Sequence, residues 1–434
     1  MLTLIKNGYV VDPGSCIEGN YDILIKGGYI YKVMPGTAGP NEDFKADKVI
    51  DASGMFIMPG LIDLHVHLRE PGYEYKETIQ TGAMAAAAGG FTTICAMPNT
   101  KPPLDSPGMI RHVIDKAANA LVNVLPIGAV TMGQEGKELT DIPGLIKAGA
   151  SGISEDGKSV MDSALYAKAM LKAAELDTVV FAHCEDKSLA AGGVMNAGEK
   201  AKELGLAGIS NAAEDVIVAR DIILAGETGA RLHLCHCSTK GSVRMLKHAK
   251  ERGLKVTGET CPHYFTLSDE DIPGDDANFK MNPPLRSRED VNAIKEALRD
   301  GVLDVIATDH APHSFEEKNK SMAEAPFGIV GLETALPIAY TELVRTGILS
   351  LKQMVEKMSL NPARILGIDR GSIGEGKAAD IVIMDPGKAY AIDKSKFYSK
   401  SKNTPFNGRR VYGKVMYTLV SGQIVYESKT GGQS

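Results

Sequence analysis

Residues Gly60–Gly72 read G-L-I-D-L-H-V-H-L-R-E-P-G, and the fold turns on how this stretch is taken. Leu61, Ile62 and Leu64 form the short apolar run of a buried parallel strand. His65 and His67 follow two residues apart, so on a strand both imidazoles leave from one face. Two neutral imidazoles aimed at one point are half a metal site. An isolated H-x-H is more often a hydrogen-bonded pair of strand histidines. The rest of the chain reverses that reading.

Working outward, strand-like runs recur over 61–67, 91–97, 124–130, 152–155, 178–184, 231–237, 255–261 and 304–310. Helical stretches fall between them, for example 163–176, 212–227, 242–252 and 290–299. Several stop at a glycine such as Gly229, Gly253 or Gly301. Eight such β-then-α units predict an α/β fold of the closed (β/α)8 TIM-barrel type, which runs about 250 residues before insertions. An open doubly wound sheet is the competitor, weakened because no G-x-G-x-x-G follows an early strand. Both ends of the chain have another cadence, short strands at 2–6, 21–25 and 29–33, then 379–384, 414–420 and 423–426, with Asn7-Gly8, Gly27-Gly28 and Ser421-Gly422 at turns. They predict one small β-sandwich domain assembled from both termini. The expected organisation is a sandwich of residues 1–53 and 366–434 around a catalytic barrel of residues 54–365.

At 434 residues the chain exceeds the usual single core, in keeping with two units. A net charge of −6 gives no reason to expect nucleic acid or an anionic membrane as partner. No charged-then-apolar leader opens the sequence, and no apolar run is long enough to span a bilayer. Six cysteines, none in a C-x-x-C pair, do not make a disulfide framework, so a reducing cytoplasm is the expected location.

A barrel carries its active site at the C-terminal ends of its strands. Candidate metal ligands stand at five of the eight: His65 and His67 at the first, Asp156 after the fourth, His183 at the fifth, His236 at the sixth and Asp309 at the eighth. Three or four imidazoles with two carboxylates exceed one tetrahedral ion and suit two divalent ions sharing a hydroxide. Of the other histidines, His112 and His248 read as solvated helix residues. His233 has the opposite parity to His236 and is expected to face the helices, as His310 turns away from Asp309. His263, in C-P-H-Y, is expected to be a satisfied loop histidine, with a supporting role behind the ligands as the alternative. Cys235 and Cys237 read as packing thiols.

D-L-H-V-H-L-R-E-P-G (63–72), A-M-P-N-T (96–100), A-T-D-H-A-P-H (307–313) and A-P-F-G-I-V-G-L-E-T (325–334) resemble the signatures of class I dihydroorotases in the amidohydrolase superfamily. The resemblance covers essentially the whole chain. It implies the amidohydrolase-type barrel with its β-sandwich, and the reversible cyclisation of N-carbamoyl-L-aspartate to L-dihydroorotate in de novo pyrimidine (UMP) biosynthesis. It implies Asp309 as the group that takes and returns the proton, and two ions per chain, Zn2+ by default, bridged by Asp156 and a hydroxide. Many relatives use a carbamylated lysine as the bridge. Here G-I-S-E-D-G-K-S (152–159) is similar to a subgroup with aspartate there, which makes Asp156 the bridge and turns Glu155 elsewhere. Lys158 is then an exposed loop lysine, its carbamylation the lesser alternative.

The resemblance also implies His67, Arg69, Asn99, Asn282, His313, Phe327 and Gly328 as substrate contacts. Only Arg69 stands out without it, as a planar fork for a carboxylate at the barrel mouth. The polar stretch 314–326 is expected to be a lid that orders only around ligand. The expected partner is the small-molecule substrate. A homodimer is the default assembly, and association with aspartate transcarbamoylase is a further expectation taken from dihydroorotase-like chains. The rivals are a dihydropyrimidinase, hydantoinase or allantoinase, whose neutral substrates give Arg69 no role, and a silent scaffold of the same fold, which would lack metal ligands.

Overall fold

Strands that are apolar on both faces and alternate with helices are all buried at once when the sheet closes on itself and the helices pack outside. The computed structural model, which describes residues 2–36 and 45–428, is built this way. Its barrel strands are Leu61–Val66, Phe91–Ala96, Asn123–Pro126 continued by Gly128–Ala129, Ile153–Ser154, Val179–Ala182, Arg231–Leu234, Val256–Thr260 and Val305–Ile306. Each pairs in parallel with the next. The ring closes where Val66 bridges His310 and the His67 amide donates to the His310 carbonyl at 2.8 Å.

Helices Ser163–Glu175, Ala212–Thr228, Lys240–Glu251 and Arg288–Arg299 lie where the apolar spacing puts them. Asp162, Thr239 and Ser287 cap three of them, and Gly229 ends another in the left-handed conformation expected of it. Inside the barrel, Ile62, Leu64, Phe181, Cys235 and Val305 fill the lower half, closed from below by Ala363 and Ile365 of the helix Asn361–Leu366. That apolar floor leaves the upper strand ends as the place where buried polar groups collect.

Two local irregularities aim those groups. Three residue steps of the first strand, Asp63 to Val66, face two of the second, Ile94 to Ala96. Such a bulge shifts parity by one: Ile62 and Leu64 point inward below it, and His65 and His67 point inward above it. On the sixth strand, Leu234 is the last paired residue, and His236 beyond it has φ +36°.

The termini meet in one sheet with strand order Gln423–Glu427, Arg410–Val420, Ile381–Ala391, Phe56–Pro59, Leu2–Asp12, Ile17–Lys26, Tyr29–Pro35, and with Lys48–Asp51 also beside Leu2–Asp12. The order folds back on itself, for Tyr29 bridges Ala378 and the Ala379 amide donates to the Gly28 carbonyl at 2.9 Å. Its own core includes Ile5, Ile23, Ile57, Ile381 and Leu419. Of the ranges expected for this unit, residues 1, 37–44 and 429–434 lie outside the described residues. Among the described residues no helix is long and apolar enough to cross a membrane.

Candidate metal centre and active site

The six expected ligands, from five strand ends, converge above the apolar floor. Asp156 sits at the centre, its Oδ1 3.1 Å from His65 Nε2, 3.6 Å from His183 Nδ1 and 3.8 Å from His236 Nε2. Its other oxygen, Oδ2, lies 3.4 Å from His67 Nε2, and Asp309 Oδ1 is 3.2 Å from that same nitrogen. All six side chains are buried. Donor atoms of His65, Asp156 and His236 lie within 4.8 Å of one another, as do those of His65, His67 and Asp309.

Whether the cluster fits metal is decided by its unmet polar atoms. His65 Nε2, Asp156 Oδ1 and His183 Nε2 are buried with no hydrogen-bond partner, a state native proteins rarely tolerate. The first two face each other, so a cation between them satisfies both. The charges agree with this. Burial works against the Asp156 and Asp309 carboxylates, yet the surrounding imidazoles hold both below the usual carboxylate range. Four imidazoles and two ionised carboxylates fit two divalent cations.

The tautomers are set from behind. Glu259 Oε1 lies 2.9 Å from His65 Nδ1. A carboxylate can only accept, so Nδ1 carries the proton and Nε2 presents its lone pair to the centre. Glu259 Oε2 lies 3.1 Å from His233 Nε2, and these two imidazoles hold its pKa down to about 2 despite complete burial. Asn99 Oδ1 does the same for His67 Nδ1 at 2.8 Å. Asp63 accepts from the amides of His65 and Thr308, both at 3.1 Å, and so ties the first strand to the loop that carries Asp309. Arg69, His236 and Asp309 are non-glycine residues at positive φ (+61°, +36° and +48°). Such backbones cost roughly 1–3 kcal/mol each and persist where the surroundings over-determine them.

A cavity of about 220 Å3 opens onto the cluster, lined by every expected ligand but His65 and by Arg69, Asn99, Asn282, His313, Phe327 and Gly328. Arg69 spends Nε on the Pro312 carbonyl at 3.1 Å, and one terminal nitrogen lies 3.3 Å from His313 Nε2. His313 Nε2 donates to the Phe327 carbonyl at 2.8 Å while Nδ1 accepts from Lys76 Nζ at 3.2 Å. Burial, then Arg69 and Lys76, push its pKa down to about 2, so the ring is neutral. Asn282, on the cavity wall, donates to Glu185 Oε1 at 2.8 Å. The Asn99 amide, on the cavity wall, also reaches His67 and, at 3.4 Å, Asp156 Oδ2. Gly157 makes room for it: φ is +77°, and a Cβ there would come within 2.9 Å of Asn99 Nδ2.

Other expectations divide. Glu155 turns away as foreseen and accepts the amides of Val130 and Thr131 at 3.1 and 3.0 Å. Lys158 is exposed, its Nζ on the Gln134 carbonyl at 2.9 Å. His112 and His248 are exposed, and His310 points away to Glu77. His233 does not face the helices. It lies inside the barrel against Phe181 and Glu259, because parity counted back from His236 fails across the turn beyond Leu234. His263 is not satisfied either. The short helix Pro262–Thr266 turns it in against Tyr264, Nε2 has no partner, and burial lowers its pKa to about 4. The stretch 314–326, expected to order only around ligand, makes contacts of its own here. Ser314 caps the helix Phe315–Lys318, Met322 is buried, and Lys318 Nζ donates to the carbonyls of Lys280, Pro326 and Gly328 at 3.1, 3.1 and 2.9 Å. Glu259, Glu185 and Lys76 were not anticipated. Glu259 alone had a signal, a single carboxylate inside the strand run V-T-G-E-T.

Residues 54–242 match a family model described as dihydro-orotase-like, and residues 276–426 match one described as the amidohydrolase family. The dihydroorotase of Acetivibrio thermocellus is 49% identical over 427 residues, covering 98% of this chain and 99% of that one. That of Geobacter sp. strain M21 is 49% identical over 429 residues, covering 99% and 100%. Among solved structures, the L-hydantoinase (dihydropyrimidinase) of Arthrobacter aurescens superposes with a TM-score of 0.88 at 28% identity, covering 98% of this chain and 96% of that one. The dihydropyrimidinase of Brevibacillus agri NCHU1002 does so with a TM-score of 0.85 at 27% identity, covering 99% and 96%. The backbone is thus shared with cyclic-ureide hydrolases, while near-half identity along the full length is shared with dihydroorotases, and the chain belongs to the dihydroorotase family of the amidohydrolase superfamily.

Proposed function

We propose that this dihydroorotase cyclises N-carbamoyl-L-aspartate to L-dihydroorotate, reversibly, as a step in UMP biosynthesis, and that it is of the class I, aspartate-bridged kind. The observation that carries the activity is full-length identity of 49% to dihydroorotases, on a chain whose ligand cluster is complete. The bridge assignment rests on Asp156, whose two oxygens face different histidines, His65 and His67. Lys158, the alternative, reaches a loop carbonyl instead. We take zinc as the metal, from the imidazole-and-carboxylate donor set. We place the protein in the cytoplasm, since five of its six free cysteines are buried as thiols. The working division is a catalytic unit of residues 54–365 and a terminal unit of 1–53 with 366–434, joined through the strand Phe56–Pro59.

When bound, the two ions lower the pKa of water to about 7 and polarise the amide carbonyl. The chain's own residues do the rest. Arg69 pairs with the substrate carboxylate through its free guanidinium edge. Neutral His313 holds the Phe327 carbonyl at the rim without adding charge. Asn282, fixed by Glu185, offers its carbonyl oxygen to a ring N–H. In ring opening, Asp309 takes the proton of the attacking water and delivers it to the departing ring nitrogen as the C–N bond breaks. In cyclisation it removes the ureido proton as nitrogen attacks the carboxylate carbon and hands it to the departing oxygen, which takes a second proton from solvent and leaves as water. Its ionised state and its place 3.2 Å from His67 Nε2 suit it to both directions.

Turnover of dihydroorotate against dihydrouracil and allantoin by the metal-loaded protein tests this reading. Dihydroorotate should be the only good substrate, and Asp309→Asn should lose about 10²–10⁴-fold in kcat. Comparable turnover of dihydrouracil would assign the chain to the hydantoinase-like activities instead.

A further inference from the structure

The connection between strands Ile381–Ala391 and Arg410–Val420 of the terminal sheet leaves its own unit and crosses to the barrel mouth. Although irregular in backbone, it buries Ser399, Ser401, Asn403 and Thr404. Asn403 reaches the barrel mouth. Nδ2 donates to the Gly328 carbonyl at 3.0 Å and to the Ala311 carbonyl at 3.4 Å, and Oδ1 accepts from the His313 amide at 3.4 Å. Its own carbonyl accepts from the Val330 amide at 2.9 Å. Every one of these bonds ends on residues 311–313 or 328–330, the two stretches beside the substrate cavity, and none on a metal ligand.

The two stretches touch with nothing to spare. Gly328 has φ +133°, and a Cβ there would lie 2.7 Å from the Ala311 carbonyl oxygen and 3.1 Å from His313 Nε2. Lys318 Nζ holds the same Gly328 carbonyl at 2.9 Å. A second anchor stands next to Asn403. Ser399 Oγ and the Lys400 amide bind Glu77, which also holds His310, the residue after Asp309. A loop that needed only to satisfy its own polar groups would bond to its own backbone.

We propose that Asn403 is a positioning residue for substrate binding: from the terminal unit, it locks the His313 loop against Phe327-Gly328 so that both face the cavity in one register. This rests on the reading, given above, that His313 and Phe327-Gly328 contact the substrate. The test is steady-state kinetics with dihydroorotate on metal-loaded Asn403→Ala and Asn403→Leu, with His313→Ala measured beside them. Leucine fills the asparagine's space without its hydrogen bonds and serves should alanine fail to fold. KM should rise about tenfold, the equivalent of one hydrogen bond's loss, with kcat within about threefold and metal content unchanged. Adding Asn403→Ala to His313→Ala should raise KM little further, because the two act through one arrangement. A lowered melting temperature with parental KM would reduce Asn403 to a structural role and overturn the proposal. If His313→Ala raises KM and the Asn403 variants do not, this inference fails while the substrate reading stands. If His313→Ala leaves KM unchanged, the substrate reading fails and takes this inference with it.

Discussion

Glu259→Gln changes almost nothing in volume and removes one charge from beneath the metal cluster. The native carboxylate serves two imidazoles at once, His65 at 2.9 Å and His233 at 3.1 Å, with all three side chains fully buried. Glutamine has a single acceptor oxygen, so one of the two rings must now face an N–H. If that ring is His65, its proton moves to Nε2 and the nitrogen facing Asp156 can no longer ligate. If it is His233, that ring can shift its own proton to Nδ1 and donate to Thr257 Oγ1, 2.8 Å away. His65 then keeps its tautomer but loses the negative charge that made it a stronger ligand. Both outcomes weaken the metal. Loss of such an outer partner costs about 10–100-fold in metal affinity, or about 1.4–2.7 kcal/mol. Titration of the metal-free protein with zinc against a chromophoric chelator measures it. Activity at limiting free zinc should fall by the same factor and recover at saturating zinc. Two ions bound at parental affinity would refute the claim that Glu259 tunes His65.

Other substitutions read other parts of the site. Arg69→Lys keeps the charge but not the fork, and Nε can no longer hold the Pro312 carbonyl, so KM for dihydroorotate should rise at least about tenfold. An unchanged KM would remove Arg69 from carboxylate binding. His313 has its pKa lowered from 6.5 to about 2, so between those values the folded chain binds one proton fewer than the unfolded chain. Its share of stability is therefore whole above pH 6.5 and is lost as pH falls toward 2. Metal-loaded protein should lose up to about 1.4 kcal/mol per pH unit from this group on acidification. His313→Asn should flatten that slope in thermal melts, and an equal slope would contradict the buried, neutral imidazole.

The barrel was legible because parallel strands are buried on both faces and so read as apolar runs, and each of the eight runs holds a barrel strand, trimmed by a few residues at the ends. The cluster was legible because His and Asp at successive strand ends have few other reasons to be there. Parity arguments worked only inside regular strand. They placed Glu155 and His310 correctly and failed for His233, since the backbone turns at Leu234 before His236 enters the cluster. The bulge between Asp63 and Val66 is likewise invisible in an uninterrupted apolar run. Asn99, expected at the substrate, lines the cavity and also reaches His67 and Asp156, contacts set by distances no spacing encodes. Asn403 was out of reach altogether. It lies between two strands of the terminal sheet, and nothing local to 397–404 says which carbonyls its amide will meet.

In the proposed site six side chains hold two cations through Asp156. Elemental analysis of the purified protein beside Asp156→Ala measures this most directly. Two zinc equivalents per chain in the parent, and one or none with lost turnover in the variant, are the predicted result. A variant that keeps both ions, or a metal-free parent that opens dihydroorotate at full rate, would contradict it.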